Sequence, residues 1–190
     1  MPIPDPHAAT RECLGRPVEG EPGAPPLFVD EPFPPYRFVP GKTPHPFAHA
    51  EGYGHGAPRP VPVFLPEDRW RENRAYLRGV DFFNRGWWWE AHEAWEELWH
   101  VVEGKDDRQH TLLKALIQLA ACALNRERGV GGGAARLLAS ATAALDGLAP
   151  ATQLLGVDLV AMRGSAQALL VANVPQVNGF YVPLLEARAD

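Results

Sequence analysis

The side chains best suited to chemistry lie together in residues 87–100, WWWEAHEAWEELWH. This stretch holds five of the chain's six tryptophans, four glutamates and two histidines. If it forms a helix, His92 and Glu96 stand one turn apart at the edge of an apolar arc, beside Trp99. We therefore expect His92 and Glu96 to be partly buried together.

A histidine paired with a carboxylate has three uses that residue types alone do not separate. The pair can act as a general base with its orienting partner, or it can supply two ligands to a metal ion. It can also be a structural clasp between helices, with hydrogen bonds to a group such as Gln118 on the next helix. All three interpretations stay open at this point.

The other glutamates of the stretch project away from this edge. Glu90, Glu93 and Glu97 are predicted to form a solvated face on the far side of the helix. The stretch resembles the zinc-protease signature His-Glu-x-x-His, with Glu93 in the place of the water-activating base, but Glu96 replaces the second histidine. Because Glu93 would point about 100° away from His92, we set a metalloprotease aside and keep Glu93 as a candidate catalytic residue.

Three more histidines, His45, His49 and His55, lie in PGKTPHPFAHAEGYGHG. A loop stiffened by proline and glycine can present imidazole nitrogens at low entropic cost. If this loop folds over the helix, His45 could join His92 and Glu96 as the third ligand of a divalent metal ion. The alternative, which we favour for His49 and His55, is that the loop histidines are exposed and uncoordinated.

Proline divides the chain into two parts. Most of the 20 prolines precede residue 67, and such a segment cannot hold a helix. We predict a partly ordered, proline-rich arm over residues 1–65, loosely ordered over 1–26 and extended over 27–65, which packs on a helical domain of residues 66–172. Residues 173–190 are expected to form an irregular tail.

The second part has helical periodicity between glycine and proline stops. This periodicity predicts helices over residues 66–86, 88–102, 107–128, 134–148 and 156–172, with a turn at the glycine cluster 129–133 and no strand. The third of these helices is apolar nearly all round, so it must be central, with Gln118 in the core. The predicted fold class is all-α, a compact bundle of about four to five helices.

Composition limits the partners and the compartment. The net charge is −5 and the basic residues form no stripe, so nucleic acid is a poor candidate. No apolar run is long enough to span a membrane, and the N-terminus does not read as a secretory signal, so we expect a cytoplasmic protein. Cys122 is expected to be a small core residue. A homo-oligomer formed through an apolar helix face is compatible with so small an all-α chain.

Residues 83–138 resemble the family numbered 309 among the domains of unknown function. The resemblance rests on a Phe-Asn-x-Gly start, a Glu-x-His-Glu-x-x-Glu-x-x-Trp core, a basic residue, and a Leu-Ile-Gln helix followed by a glycine turn. The matching positions are Phe83, Asn84, Gly86, Glu90, His92, Glu93, Glu96, Trp99, Arg108, Leu116, Ile117 and Gln118. Ala115 departs from a usual glycine, and Leu124 and Asn125 stand where many members carry histidine. The resemblance implies a compact α-helical domain without an established biochemical role.

Two functional hypotheses follow. The first is a non-enzymatic helical domain that binds a small ligand or a protein partner in a polar pocket between the second and third predicted helices. That pocket would be formed by Asn84, Glu90, His92, Glu93, Glu96, Trp99, Arg108 and Gln118. The second is a metal-dependent, hydrolase-like enzyme, in which His92 and Glu96 bind a divalent ion with help from His45 while Glu93 moves protons.

Overall fold

The computed structural model of the chain describes residues 28–172 and 182. Within them, five α-helices follow a short 3-10 helix, and a hairpin of two very short strands interrupts the series. The elements are the 3-10 helix Glu67–Glu72, α1 (Arg74–Asn84), α2 (Trp88–Val102), α3 (Asp107–Glu127), α4 (Gly131–Asp146), β1 (Gln153–Leu154), β2 (Val157–Asp158) and α5 (Leu159–Ala172). The predicted all-α class is confirmed. The predictions for residues 1–26 and for nearly all of the tail 173–190 lie outside the described residues.

The first predicted helix, residues 66–86, is wrong as a single element. Asn73 interrupts it with a non-helical backbone conformation, φ −81° and ψ 87°. The Asn73 side chain accepts a hydrogen bond from the backbone N–H of Tyr76, 3.1 Å away. Asparagine is a favoured N-cap because its side chain satisfies a free amide of the first turn. The chain therefore forms a 3-10 helix, breaks at Asn73 and starts α1 afresh.

Two further boundaries differ from the prediction. α4 begins at Gly131, inside the glycine cluster expected to form the turn, because the turn is completed by Gly129 at φ 75°. The hairpin β1–β2 was not expected; its two-residue turn places Leu155 and Gly156 at positive φ, a backbone that matches the twist of paired strands. Asp158 then caps α5 by accepting hydrogen bonds from the next helical amides.

The α-helices pack chiefly on their neighbours along the chain, α1 on α2, α2 on α3, α3 on α4 and α4 on α5. α3 is therefore central, as predicted, and Leu112, Leu113 and Leu116 are completely buried. The expected core position of Gln118 needs correction. Gln118 is only half-buried because it lies at the edge between α3 and α4, where it donates a hydrogen bond of 2.9 Å to Ser140.

The contact between α1 and α2 is centred on Trp95. Its indole Nε1 donates a hydrogen bond of 3.1 Å to the carbonyl of Tyr76. Gly79 lets the two helices approach so closely that an added Cβ would lie 2.2 Å from that same Nε1. Tyr76 in turn donates its hydroxyl proton to the carbonyl of Leu155, 2.9 Å away, which ties the hairpin to α1. The tryptophan helix is thus fixed in orientation.

Residues 28–65, called the arm below, contain turns but no helix or strand. The arm begins against α1, where the backbone amides of Phe28 and Val29 each donate a hydrogen bond of 2.9 Å to Asp81. Further along, Arg37 forms a buried ion pair with Glu127 at the end of α3. None of the described helices combines the length and the apolar character that crossing a lipid bilayer requires.

Candidate functional site

His92 and Glu96 lie together on the outer side of α2. The His92 Nε2 atom is 3.7 Å from Glu96 Oε2, and the two side chains are 26% and 45% exposed. The other ring nitrogen of His92, Nδ1, lies 3.4 Å from the carbonyl oxygen of Ile117 on α3. The pair is partly buried, and solvent can reach it.

The contact with Ile117 determines what the second nitrogen can do. If Nδ1 carries the proton that is donated to the Ile117 carbonyl, Nε2 of the neutral ring holds a lone pair directed toward the Glu96 carboxylate. A lone pair facing a carboxylate is unfavourable unless a cation lies between them, either a proton on Nε2 or a metal ion. Metal-ligating histidines characteristically donate their other N–H to a backbone carbonyl or a carboxylate.

Glu93 completes a group of three ligand atoms. One atom each from His92, Glu93 and Glu96 lie within 4.8 Å of one another, and all three residues are half-buried. Glu93 was expected on a solvated far face together with Glu97, and this needs correction. Glutamate side chains are long enough to reach around a helix, and here the arm covers part of that face.

Arg59 is the arm residue that covers it. Arg59 Nη2 lies 2.9 Å from Glu93 Oε2 and also pairs with Glu97. The side chains of Arg59, Glu93 and Glu97 are 42%, 23% and 33% exposed. The pKa of Glu97 is raised above its usual value because burial outweighs the opposing effect of the Arg59 charge. The sequence offered no signal for this contact, because a single arginine in a proline-rich segment does not identify its partner.

Glu90 is buried, so its expected position on a solvated face is wrong. Its Oε1 accepts a 2.6 Å hydrogen bond from the backbone N–H of Phe38 and lies 3.5 Å from the Tyr53 hydroxyl. Oε2 is buried and has no hydrogen-bond partner among the described residues. Burial raises the pKa of Glu90 to about 8, although the Phe38 amide and the charge of Arg37 lower it. Glu90 therefore attaches the arm to α2.

These side chains belong to a segment that matches a protein-family model. Residues 76–137 match the domain of unknown function DUF309. The match supports the resemblance seen in residues 83–138, and it extends from α1 into α4. No curated protein matches the chain. The DUF309 segment holds Glu90, His92, Glu93 and Glu96, whereas Arg59 comes from outside it.

The remaining polar residues of the DUF309 segment have contacts elsewhere. Asn84 is buried and accepts a 2.9 Å hydrogen bond from the backbone N–H of Val182. Arg108 is exposed and pairs with Glu67 at 3.3 Å. Gln118 donates to Ser140 and is not bonded to His92. The structure thus gathers three of the eight predicted pocket residues, His92, Glu93 and Glu96, into one ligand group.

Trp99, also one of the eight, stacks on His110, a residue that the sequence reasoning missed. The two rings are nearly parallel, with centroids 4.4 Å apart and an interplanar angle of 19°. Trp99 lies near the end of α2 and His110 near the start of α3. A short turn between antiparallel helices brings such positions together, so helical pairing could have identified this stack.

The arm histidines have partners of their own. The His45 ring packs against Phe38 and Trp89, and its Nδ1 accepts backbone hydrogen bonds of 3.2 Å from residues 47 and 48. His49 and His55 are exposed. His45 therefore lies against the first turn of α2, but it does not belong to the group of ligand atoms formed by His92, Glu93 and Glu96. Cys122 is buried in α3, and burial raises the pKa of its thiol.

Proposed function

We propose that the DUF309 segment binds a divalent transition-metal ion, with His92 Nε2 and one carboxylate oxygen each from Glu93 and Glu96 as protein ligands. The observation that carries the proposal is the grouping of these three ligand atoms within 4.8 Å of one another. The contact between His92 Nδ1 and the Ile117 carbonyl adds support, since it orients the ring as metal-binding histidines are oriented.

The donor set favours particular metals. One imidazole nitrogen with two carboxylate oxygens suits zinc, manganese, iron, cobalt or nickel, whereas calcium and magnesium prefer an all-oxygen shell. Two carboxylates would neutralise the charge of a divalent ion. Three protein ligands leave coordination positions for water or for a small anionic ligand, and the partial exposure of His92 and Glu96 gives such a ligand access.

This proposal narrows the earlier hypothesis of an eight-residue polar pocket. Asn84, Glu90 and Gln118 already have hydrogen-bond partners in the tail, the arm and α4. In the part of the chain that the structure describes, the side chains of His92, Glu93 and Glu96 form no hydrogen bond with α4. The ligand that we expect at this surface is thus the ion, together with whatever molecule completes its shell.

Metal titration tests the proposal. Untagged protein stripped with a chelator is titrated with Zn²⁺ and with Mn²⁺ by calorimetry, and the bound metal is counted by elemental mass spectrometry. We expect one ion per chain, and at least a roughly tenfold loss of affinity in His92→Ala and in Glu96→Gln. His100→Ala and Glu103→Gln are matched controls, because both residues are exposed and lie in the last turn and at the C-cap of α2, outside the candidate ligand group. No stoichiometric binding, or an equal loss in the controls, contradicts the metal site.

A metal-dependent hydrolase is the second candidate function, and the solvent exposure of His92 and Glu96 favours it, because a substrate could reach these side chains. In that reaction Glu93 would transfer protons and would not be a metal ligand. Glu93→Gln separates the two roles: a variant that keeps the ion but loses turnover of ester or phosphate-ester substrates identifies a base. A variant that loses the ion identifies a ligand, and wild-type protein that turns over none of these substrates when loaded with metal argues against the hydrolase.

A further inference from the structure

Arg59 places a positive charge at the edge of the candidate metal site. Its Nη2 is 2.9 Å from Glu93 Oε2 and also pairs with Glu97. Its guanidinium carbon lies 4.3 Å from the centre of the Phe47 ring, so a second residue of the arm holds the cation in place. One of the three candidate metal ligands thus already has a cationic partner.

Charge balance gives this contact a consequence for metal binding. With His92 neutral, the carboxylates of Glu93 and Glu96 neutralise a divalent ion, and Glu97 alone is sufficient to neutralise Arg59. Without the ion, Arg59 is shared by Glu93 and Glu97 and offsets the repulsion between neighbouring carboxylates. A divalent ion bound to Glu93 would repel a guanidinium that stayed on the same carboxylate.

Resting on the proposed metal site, we infer that Arg59 is a resident counter-cation that competes with a divalent metal ion for Glu93. When the ion binds, Arg59 keeps its pair with Glu97 and gives up its pair with Glu93. Coupling between two binding events is reciprocal, so the attached arm weakens metal binding and the metal weakens the attachment of the arm. Val61 and Val63, just beyond Arg59, are exposed. Arg59 ties this stretch to α2 through its ion pairs with Glu93 and Glu97.

Zn²⁺ titration of full-length Arg59→Gln tests the competition. We expect the variant to bind Zn²⁺ about fivefold or more tightly than wild type at low ionic strength. The matched control is Arg69→Gln, which removes the same charge from an exposed ion pair with Glu72 on the 3-10 helix and should leave the affinity unchanged. In wild-type protein, hydrogen exchange of residues 57–65 should become faster when Zn²⁺ is added.

The outcomes separate this inference from the proposed function. If wild type binds Zn²⁺ and Arg59→Gln binds it equally or more weakly, Arg59 does not compete with the ion for Glu93. The proposed metal site is not contradicted by this result. An equal gain in Arg59→Gln and Arg69→Gln also overturns it, because the effect is then one of net charge. If neither wild type nor Arg59→Gln binds Zn²⁺, the metal site itself is contradicted.

Discussion

Three buried polar side chains on the helices accept hydrogen bonds from the backbone of the arm or the tail. Asp81, Asn84 and Glu90 each accept backbone N–H donors from the arm or the tail. Extended segments without a neighbouring strand must find acceptors for their amides, and a buried amide without one costs free energy. Two of these residues, Asn84 and Glu90, belong to the motif that suggested a ligand pocket. These hydrogen bonds explain why Asn84 and Glu90 are polar and buried.

Glu90 should make stability depend on pH. In the unfolded chain its carboxyl ionises near the usual pKa of 4.5, whereas in the folded protein burial keeps it protonated up to about 8. Ionisation thus favours the unfolded state as pH rises between these values, and the penalty is fully present above about 8. Arg37 and Tyr53 of the arm face the carboxylate and moderate the effect.

The expected result is that Glu90→Gln removes this dependence. Between pH 5 and pH 8, wild type should lose of the order of 3 kcal/mol of unfolding free energy relative to the variant. Urea denaturation in the presence of a chelator measures both proteins across this range. Parallel pH profiles would show that Glu90 does not change its ionisation on folding.

Local spacing predicted only part of the site. His92 and Glu96 were paired from the sequence because residues four apart on a helix are neighbours whatever surrounds them. The burial of Glu90 cannot be predicted from the spacing of residues along the helix. A helical projection orders residues around one axis, and it does not report that an arm about fifty residues earlier in the chain covers that face.

At the scale of elements, the sequence predicts some helix boundaries well and misses others. Helix bounds for α2 and α3 followed from glycine stops and apolar periodicity, and the prediction matched them to within a residue. The break at Asn73 and the positive φ of Leu155 were missed. The Asn73 break is a local N-cap inside an otherwise helical pattern. Leu155 lies in the hairpin turn, and its carbonyl accepts the hydroxyl proton of Tyr76 from α1.

Gly79→Ala should destabilise the protein although alanine is the better helix former. The added Cβ would meet the Trp95 indole at 2.2 Å, and overpacking of this kind costs about 1 to 3 kcal/mol. Gly164→Ala on α5 is the control, since nothing lies within 4 Å of its Cβ and the change should stabilise by roughly 0.5 to 1 kcal/mol. Thermal unfolding compares the two, and equal shifts would contradict the tight contact.

The arm and the end of α3 are joined by a buried charge pair. Arg37→Met would leave Glu127 buried and without its arginine, at a cost of about 3 to 5 kcal/mol. The double variant Arg37→Met, Glu127→Leu should recover most of this loss, because the desolvated charge is removed as well. Arg69→Met at the exposed pair with Glu72 should leave stability nearly unchanged, because a solvent-exposed ion pair contributes little to it. Urea midpoints that fall equally in the single and double variants would rule out this explanation.

At the scale of the whole molecule, the arm and the DUF309 segment depend on each other. Residues 76–137 match the family, whereas the partners of Asp81, Glu90 and Glu127 lie at residues 28–38. The arm also buries Val29, Tyr36, Phe38 and Val39. The family segment therefore holds the candidate ligand group, and the arm provides partners for the buried acceptors Asp81, Glu90 and Glu127.

A chain that begins at Pro66 should be much less stable than the full-length protein. It would lack the amide donors of Asp81 and Glu90 and the cation that pairs with Glu127, and it would expose the apolar surface under the arm. Urea unfolding and binding of a hydrophobic dye report these changes. An unchanged urea midpoint without dye binding would contradict the role of the arm.

The most direct test of the metal site is a crystal structure of the full-length, untagged protein grown with Zn²⁺, with anomalous data collected on both sides of the zinc absorption edge. The site predicts one anomalous peak roughly 2.0 to 2.2 Å from His92 Nε2 and from a carboxylate oxygen of each of Glu93 and Glu96. Arg59 should then be paired with Glu97 alone. No peak at this position, or zinc bound instead by the arm histidines, would contradict the assignment of His92, Glu93 and Glu96 as metal ligands.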